Sequence, residues 1–262
     1  MKRVLLGIAS RIPLGALERL LHGVVRDRVL RLPASEALRF LFRLDAVLYE
    51  VQGTTSVAYG DGIHSKHRHM NYHSFFVKRI RPDDKVLDLG CGIGAVAFSV
   101  ASETGAAVTG VDWDAGSIET ARARHQHPRL AYSVSDVSKD IPDGRYDVVI
   151  LSNVLEHLRE RPVFLRRIAG ATRASRFLIR VPLFERDWRV PLKKELGVEW
   201  RLDPTHETEF TQETFASEMA EAGMRIADQE FRWGEIWAEV VPEAAASERT
   251  ESSRSTTRSS EK

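Results

Sequence analysis

The stretch Val86-Leu-Asp-Leu-Gly-Cys-Gly-Ile-Gly94 decides the fold. Val86 to Leu89 reads as a short buried strand. Glycines follow at 90, 92 and 94, and a helical segment runs from about 93 to 103. Gly90 and Gly92 let the backbone approach a ligand, and Gly94 lets the helix start against the strand. The spacing is G-x-G-x-G, which departs at the third glycine from the G-x-G-x-x-G of dinucleotide folds. Asp88 stands two positions before the first glycine. A carboxylate there is unfavourable beside a pyrophosphate and suits a ligand carrying ammonium and sulfonium charges.

Outward from this loop, strands and helices alternate between about 84 and 183. Further strands read at Val108–Val111, Leu130–Val134, Tyr146–Leu151 and Phe177–Val181, with helices near 115–125 and 160–171. Such alternation means a doubly wound parallel α/β sheet with right-handed crossovers, whose ligands bind beyond the carboxyl ends of the strands. Residues 184–209 interrupt the pattern with Trp188, Pro191, Trp200 and Pro204, an irregular insertion of the kind that forms binding lids. A helix from Gln212 to Ala222, with Gly223 as its C-cap, precedes a hairpin over 225–231 and 235–241 around Trp233-Gly234.

Three acidic positions follow the loop in order. Asp112, eighteen residues past Gly94, ends the second strand and is placed to accept from both hydroxyls of a ribose. Trp113 beside it either stacks on a purine or packs in the core. After the third strand, Asp136 can accept from an adenine amino group and Val137 can pack on the ring; Asp136 could equally cap a helix. With Tyr146-Asp-Val-Val-Ile-Leu-Ser-Asn-Val-Leu-Glu-His-Leu158, the set resembles a class I S-adenosylmethionine-dependent methyltransferase over about residues 70–240. It is most similar to the branch that includes the small-molecule O-methyltransferases of quinone biosynthesis. The resemblance implies a Rossmann-like seven-stranded sheet with an antiparallel last strand and S-adenosylmethionine as cofactor. It implies that Asp88, Gly90, Cys91, Gly92 and Gly94 line the methionine half. Asp112 would hold the ribose, Asp136 and Val137 the adenine, and Ser152 and Asn153 would border the sulfonium.

Methyl transfer to a hydroxyl needs the acceptor held in line and a proton removed, for which histidine is the natural base near neutral pH. His157 lies four residues past Asn153, on one face with it if that segment is helical. His206, in Arg201-Leu-Asp-Pro-Thr-His-Glu207, follows the insertion and ranks slightly ahead as the catalytic base. His64, His67, His69 and His73 form a third cluster, in which His69 and His73 are spaced to share a helix face. With only Asp61 nearby, it is read as a loop closing over the cofactor carboxylate through Lys66 or Arg68, and no metal ligand is assigned. This segment is similar to part of the methyltransferases of polysaccharide-building pathways. The expected acceptor is therefore a hydroxyl of a sugar, a lipid-linked saccharide or a quinone-like compound.

Composition bounds the rest. The 262 residues carry 38 Lys+Arg against 37 Asp+Glu, which gives no case for nucleic acid as partner. The fourth-strand position reads Ser152-Asn153-Val154-Leu155, without the Pro-Pro-aromatic motif of nucleic-acid amino methyltransferases. The single cysteine, Cys91, excludes an intrachain disulfide. Met1 to Ala9 only faintly resembles a signal peptide, and no run reaches the roughly 20 apolar residues of a membrane span, so a cytoplasmic location is expected. Residues 1–60 read as a helical extension, with leucine and valine stripes either side of Pro33 and Ser35 as the second helix's N-cap. Residues 1–31 hold seven Lys/Arg and two Asp/Glu, a balance suited to peripheral contact with an anionic membrane, though a cap over the catalytic domain is the preferred reading. Residues 61–242 form the cofactor-binding domain. Nine of the last 20 residues are Ser or Thr and none is aromatic or a large aliphatic, so 243–262 is expected to be a disordered tail. The rival functions are a catalytically silent cofactor-binding protein and an NAD-dependent oxidoreductase.

Overall fold

A computed structural model describes residues 11–137, 139–142 and 144–243. The opening Met1–Ala9 stretch and nearly all of the expected tail therefore lie outside the described residues. The chain forms two compact units, one of the chain up to Asn71 with Glu185–Pro204, the other of Tyr72–Phe184 and the chain from Thr205 on. The dividing point thus falls at Asn71 rather than near residue 60.

The second unit holds the sheet. Its strands are β1 (Lys85–Leu89), β2 (Ala107–Asp112), β3 (Leu130–Val134), β4 (Val148–Ser152), β5 (Arg176–Pro182), β6 (Met224–Arg232) and β7 (Glu235–Pro242). Their order is β3-β2-β1-β4-β5-β7-β6. β1 to β5 pair in parallel, and β7 runs antiparallel to both β5 and β6. The doubly wound sheet and its antiparallel last strand are as expected from the alternation and the terminal hairpin. Alternate residues of the central strands point to opposite faces, and both faces are covered, which is why Leu87, Val149 and Phe177 on one face and Val86, Ile150 and Leu178 on the other are all buried. Because β2 and β3 lie on one side of β1 and β4 on the other, the winding reverses at β1/β4, and a crevice opens there at the carboxyl ends.

Two helices of the second unit start at a side-chain cap. Asp114 Oδ2 accepts from the Ser117 N–H at 2.8 Å and starts the helix Ala115–Arg124. Thr211 and Thr214 exchange side-chain and backbone bonds at the head of Gln212–Glu221, a reciprocal capping box. Tyr146 is buried but stands ahead of β4, which begins at Val148.

The first unit contains α1 (Leu14–Leu30), α2 (Ala34–Tyr59) and α3 (Lys66–Met70). Pro33, not Ser35, is the N-cap of α2, and Ala34 is already helical. The proline presets its φ, so the helix starts two residues earlier than a cap at Ser35 would place it. The insertion is less irregular than expected, since it contains α4 (Arg189–Glu195). Pro191, read as a breaker, lies in that helix's first turn, where its missing N–H costs nothing. The insertion is tied to α2 within the unit: Arg39 Nε donates to the Leu196 carbonyl at 2.9 Å, and Lys193 Nζ lies 3.6 Å from Asp45 Oδ2. α1 buries no residue, and Leu14, Leu20, Leu21, Val24 and Leu30 are exposed. Among the described residues no helix is long and apolar enough to cross a membrane.

Candidate active site

The glycine turn is fixed to β2 by its backbone: the N–H groups of Gly90 and Cys91 both donate to the Val111 carbonyl, at 2.8 and 3.0 Å. Gly90 has φ +72°, and a Cβ on it would lie 2.6 Å from Val154 Cγ2. Gly94 has φ +79°, and a Cβ there would strike the Tyr132 ring, whose hydroxyl donates to the Gly94 carbonyl at 3.2 Å. Both positions therefore need glycine twice over, for backbone conformation and for space. The helix after the turn, Ala95–Thr104, begins at the residue after Gly94.

Two acids flank the turn. Asp112, buried at the end of β2, accepts from the Gly92 N–H with Oδ2 at 2.8 Å and from the Asp114 N–H with Oδ1 at 2.9 Å. Each carboxylate oxygen has two acceptor sites, so one remains on each for a pair of vicinal hydroxyls. Asp88 is 1% exposed, and its Oδ2 has no hydrogen-bond partner among the described residues. Burial, reinforced by the neighbouring Asp112 carboxylate, pushes its pKa up to about 7. A buried carboxylate with one oxygen unpartnered, beside a turn with glycines at 90, 92 and 94, suits the ammonium end of an amino-acid cofactor. Cys91 is no nucleophile: burial, with Asp88 and Asp112 adding to it, holds its thiol well above the ordinary range.

These features give a pH-dependent prediction. The pKa of Asp88 is raised above its unfolded value of 3.8, so its contribution to the stability of the cofactor-free fold is complete below that value and is lost as pH rises through about 7. A ligand ammonium reverses the preference and expels the proton. Binding of S-adenosylhomocysteine at pH 7 should release about half a proton per site, read as a dependence of the calorimetric enthalpy on the buffer's ionisation enthalpy. Asp88→Asn should erase that dependence; a parent enthalpy identical in all buffers would refute the assignment.

Of the other expected residues, Trp113 is 75% exposed, which rules out the core-packing alternative and leaves its indole face available beside Asp112. Asp136 caps no helix. It closes a turn whose carbonyl accepts from Lys139 and Asp140, and its carboxylate pairs with Lys139 at 2.8 Å. Val137 packs partly buried against the core. Ser152 ends β4, and its hydroxyl accepts from Arg180 Nη1 at 3.3 Å. Asn153 does not share a helix face with His157. It sits at φ +57°, its N–H donates to the Arg180 carbonyl at 2.8 Å, and only a short 3₁₀ turn, Leu155–His157, follows. His69 and His73 likewise share no helix face, because Asn71 at φ +47° separates α3 from α5 (His73–Val77).

The two histidines read as bases are brought together. Leu183 bridges Phe210, and the Phe184 N–H donates to the Phe210 carbonyl at 2.7 Å, which returns the chain to the sheet after the insertion. The Glu207 N–H donates to the Glu156 carbonyl at 2.8 Å. His206 is thereby buried with its ring centroid 4.8 Å from that of His157, edge to face. Its Nδ1 lies 3.2 Å from Oε1 of the buried Glu209, and His157 Nδ1 lies 3.1 Å from Thr205 Oγ1. Glu156 is fully buried, and neither of its carboxylate oxygens has a hydrogen-bond partner among the described residues. Burial pushes its pKa up to about 7, against the opposing pull of His206 and Arg180. Sequence reading assigned no site role to Glu156, which stands in the Tyr146–Leu158 run only as the neighbour of His157, nor to Glu209, and both are buried in the structure.

Fold and site together define a class I S-adenosylmethionine-dependent methyltransferase. Residues 64–229 match the family model described as a methyltransferase domain, and the chain belongs to that family. The ubiquinone biosynthesis O-methyltransferase of Bradyrhizobium diazoefficiens is 32% identical over 129 residues, 47% of this chain and 50% of that protein. The ribosomal protein L11 methyltransferase of Burkholderia mallei is 36% identical over 118 residues, 43% of this chain and 37% of that protein. The chain thus matches half or less of the length of these relatives. Among solved structures, the mitomycin 7-O-methyltransferase MmcR aligns with a TM-score of 0.55 at 21% identity, covering 70% of this chain and 56% of that one. The magnesium protoporphyrin IX methyltransferase of Synechocystis PCC 6803, with bound S-adenosylhomocysteine, gives 0.54 at 18%, covering 66% and 83%. S-adenosylmethionine is the cofactor.

Proposed function

We propose that the chain moves the methyl group of S-adenosylmethionine to a hydroxyl of a small molecule, a sugar, a lipid-linked saccharide or a quinone-like compound, with His206 accepting the hydroxyl proton. The observation that carries this reading is His206 itself, a buried imidazole backed by the buried Glu209 carboxylate, arranged as a base and its orienting partner. The relative named for ubiquinone O-methylation supports oxygen as the target. In this reading Asp88 and the glycine turn hold the methionine half, Asp112 the ribose, and Trp113, Asp136 and Val137 the adenine. His157 packs on the base.

The test is to turn the protein over with carbon-13-methyl-labelled cofactor against hydroxylated acceptors and locate the new methyl by NMR. Attachment to oxygen is expected. His206→Ala should lower kcat by about 10²–10⁴, the usual contribution of a general base, with S-adenosylhomocysteine affinity retained. A methyl on nitrogen or carbon would overturn the proposal. Cofactor binding without turnover of any acceptor would favour the non-catalytic alternative.

A further inference from the structure

We infer that Glu156, His157 and His206 form a divalent metal site of zinc type, a use of His206 distinct from its proposed role as base. The three residues each offer a ligand atom, and these atoms lie within 4.8 Å of one another. Two imidazoles and one carboxylate are a donor set that Zn2+ takes in catalytic sites, with a fourth position left open. Ligands on a tetrahedral zinc stand about 3.3 Å apart, given bonds near 2.0–2.1 Å. Closing the observed spacing asks for about an ångström of side-chain movement, and His157, the exposed member, is placed to supply it.

The second observation is Glu156. Its carboxylate is fully buried, and neither oxygen has a hydrogen-bond partner among the described residues. A buried carboxyl with both oxygens unengaged offers an open ligand position, and a cation seated there would offset the cost of keeping it ionised. The orienting shell is present as well. Glu209 Oε1 lies 3.2 Å from His206 Nδ1, and Thr205 Oγ1 lies 3.1 Å from His157 Nδ1. Such contacts fix the tautomer of a metal-bound imidazole and present Nε2 to the ion. An ion seated there holds the nitrogen that would otherwise take a proton, so the two uses of His206 exclude each other at any moment.

The experiment is calorimetric titration of Zn2+ into the chelator-treated full chain, with Co2+ absorption as a check on coordination. One site per chain is expected, with affinity reduced at least tenfold by Glu156→Gln and by His206→Ala. The pair His67→Asn with His69→Asn, outside the cluster, should leave it unchanged. Glu156→Gln keeps the shape of the side chain, and retained S-adenosylhomocysteine binding by that variant establishes that it is folded. Asp112→Ala should lose cofactor affinity and keep zinc, which separates the two readings. Absence of zinc binding, or binding that survives both Glu156→Gln and His206→Ala, overturns the proposal.

Discussion

Asp112→Ala is expected to weaken S-adenosylhomocysteine binding by about 1.5–3 kcal/mol, the range for hydrogen bonds to a charged group, which is about 10- to 150-fold in affinity. Asp112 accepts the Gly92 and Asp114 N–H groups, so the substitution removes the proposed ribose acceptors and one tie of the glycine turn, while the Gly90 and Cys91 bonds to the Val111 carbonyl remain. Asp112→Asn keeps one acceptor oxygen and should fall between parent and alanine. Calorimetry on variants with unchanged circular dichroism decides the matter. A folded alanine variant binding within twofold of the parent would remove Asp112 from the site.

The largest effect on stability should come from Arg180. Its Nε and Nη2 each donate to Glu235 at 2.6 Å, Nη1 donates to Ser152, and the guanidinium lies 3.9 Å from the centroid of the Tyr72 ring. Removing it by Arg180→Ala leaves Glu235 buried with the Trp237 indole N–H at 2.8 Å as its remaining side-chain donor. Breaking one side of a buried ion pair costs about 3–5 kcal/mol. At about 2–4 °C per kcal/mol for a domain of this size, the melting temperature should drop by roughly 6–20 °C. Replacing both partners together, Arg180→Met with Glu235→Leu, should recover most of the loss, because no charge is stranded. A single-variant shift below about 2 °C would show that Glu235 is solvated or neutral after Arg180 is removed.

What the sequence discloses is what lies close along the chain. The strand read at Leu130–Val134 has those ends in the structure, and Asp88, the glycines and Asp112 are legible because one strand–turn–helix and the next strand contain them. The Arg180–Glu235 pair is not legible. It joins residues 55 apart through the antiparallel pairing of β5 with β7, and nothing local marks either as buried. Asn153 misled for a different reason: spacing alone cannot reveal one residue in the left-handed region, and that residue breaks the helical register with His157. Glu156 reads as a surface acid until Glu207 and Thr208 bond its carbonyl and close over it.

The clamp between Leu183–Phe184 and Phe210 has a bearing on divergence. The backbone leaves the sheet and rejoins it at two points already bonded to each other, and Glu207 and Thr208 are bonded to Glu156. The length and sequence of 185–204 can therefore drift without shifting β5, β7 or the glycine turn. Selection can rewrite that excursion as a cassette while the sheet is inherited intact, and chimeras exchanging 185–204 should keep the fold of the second unit.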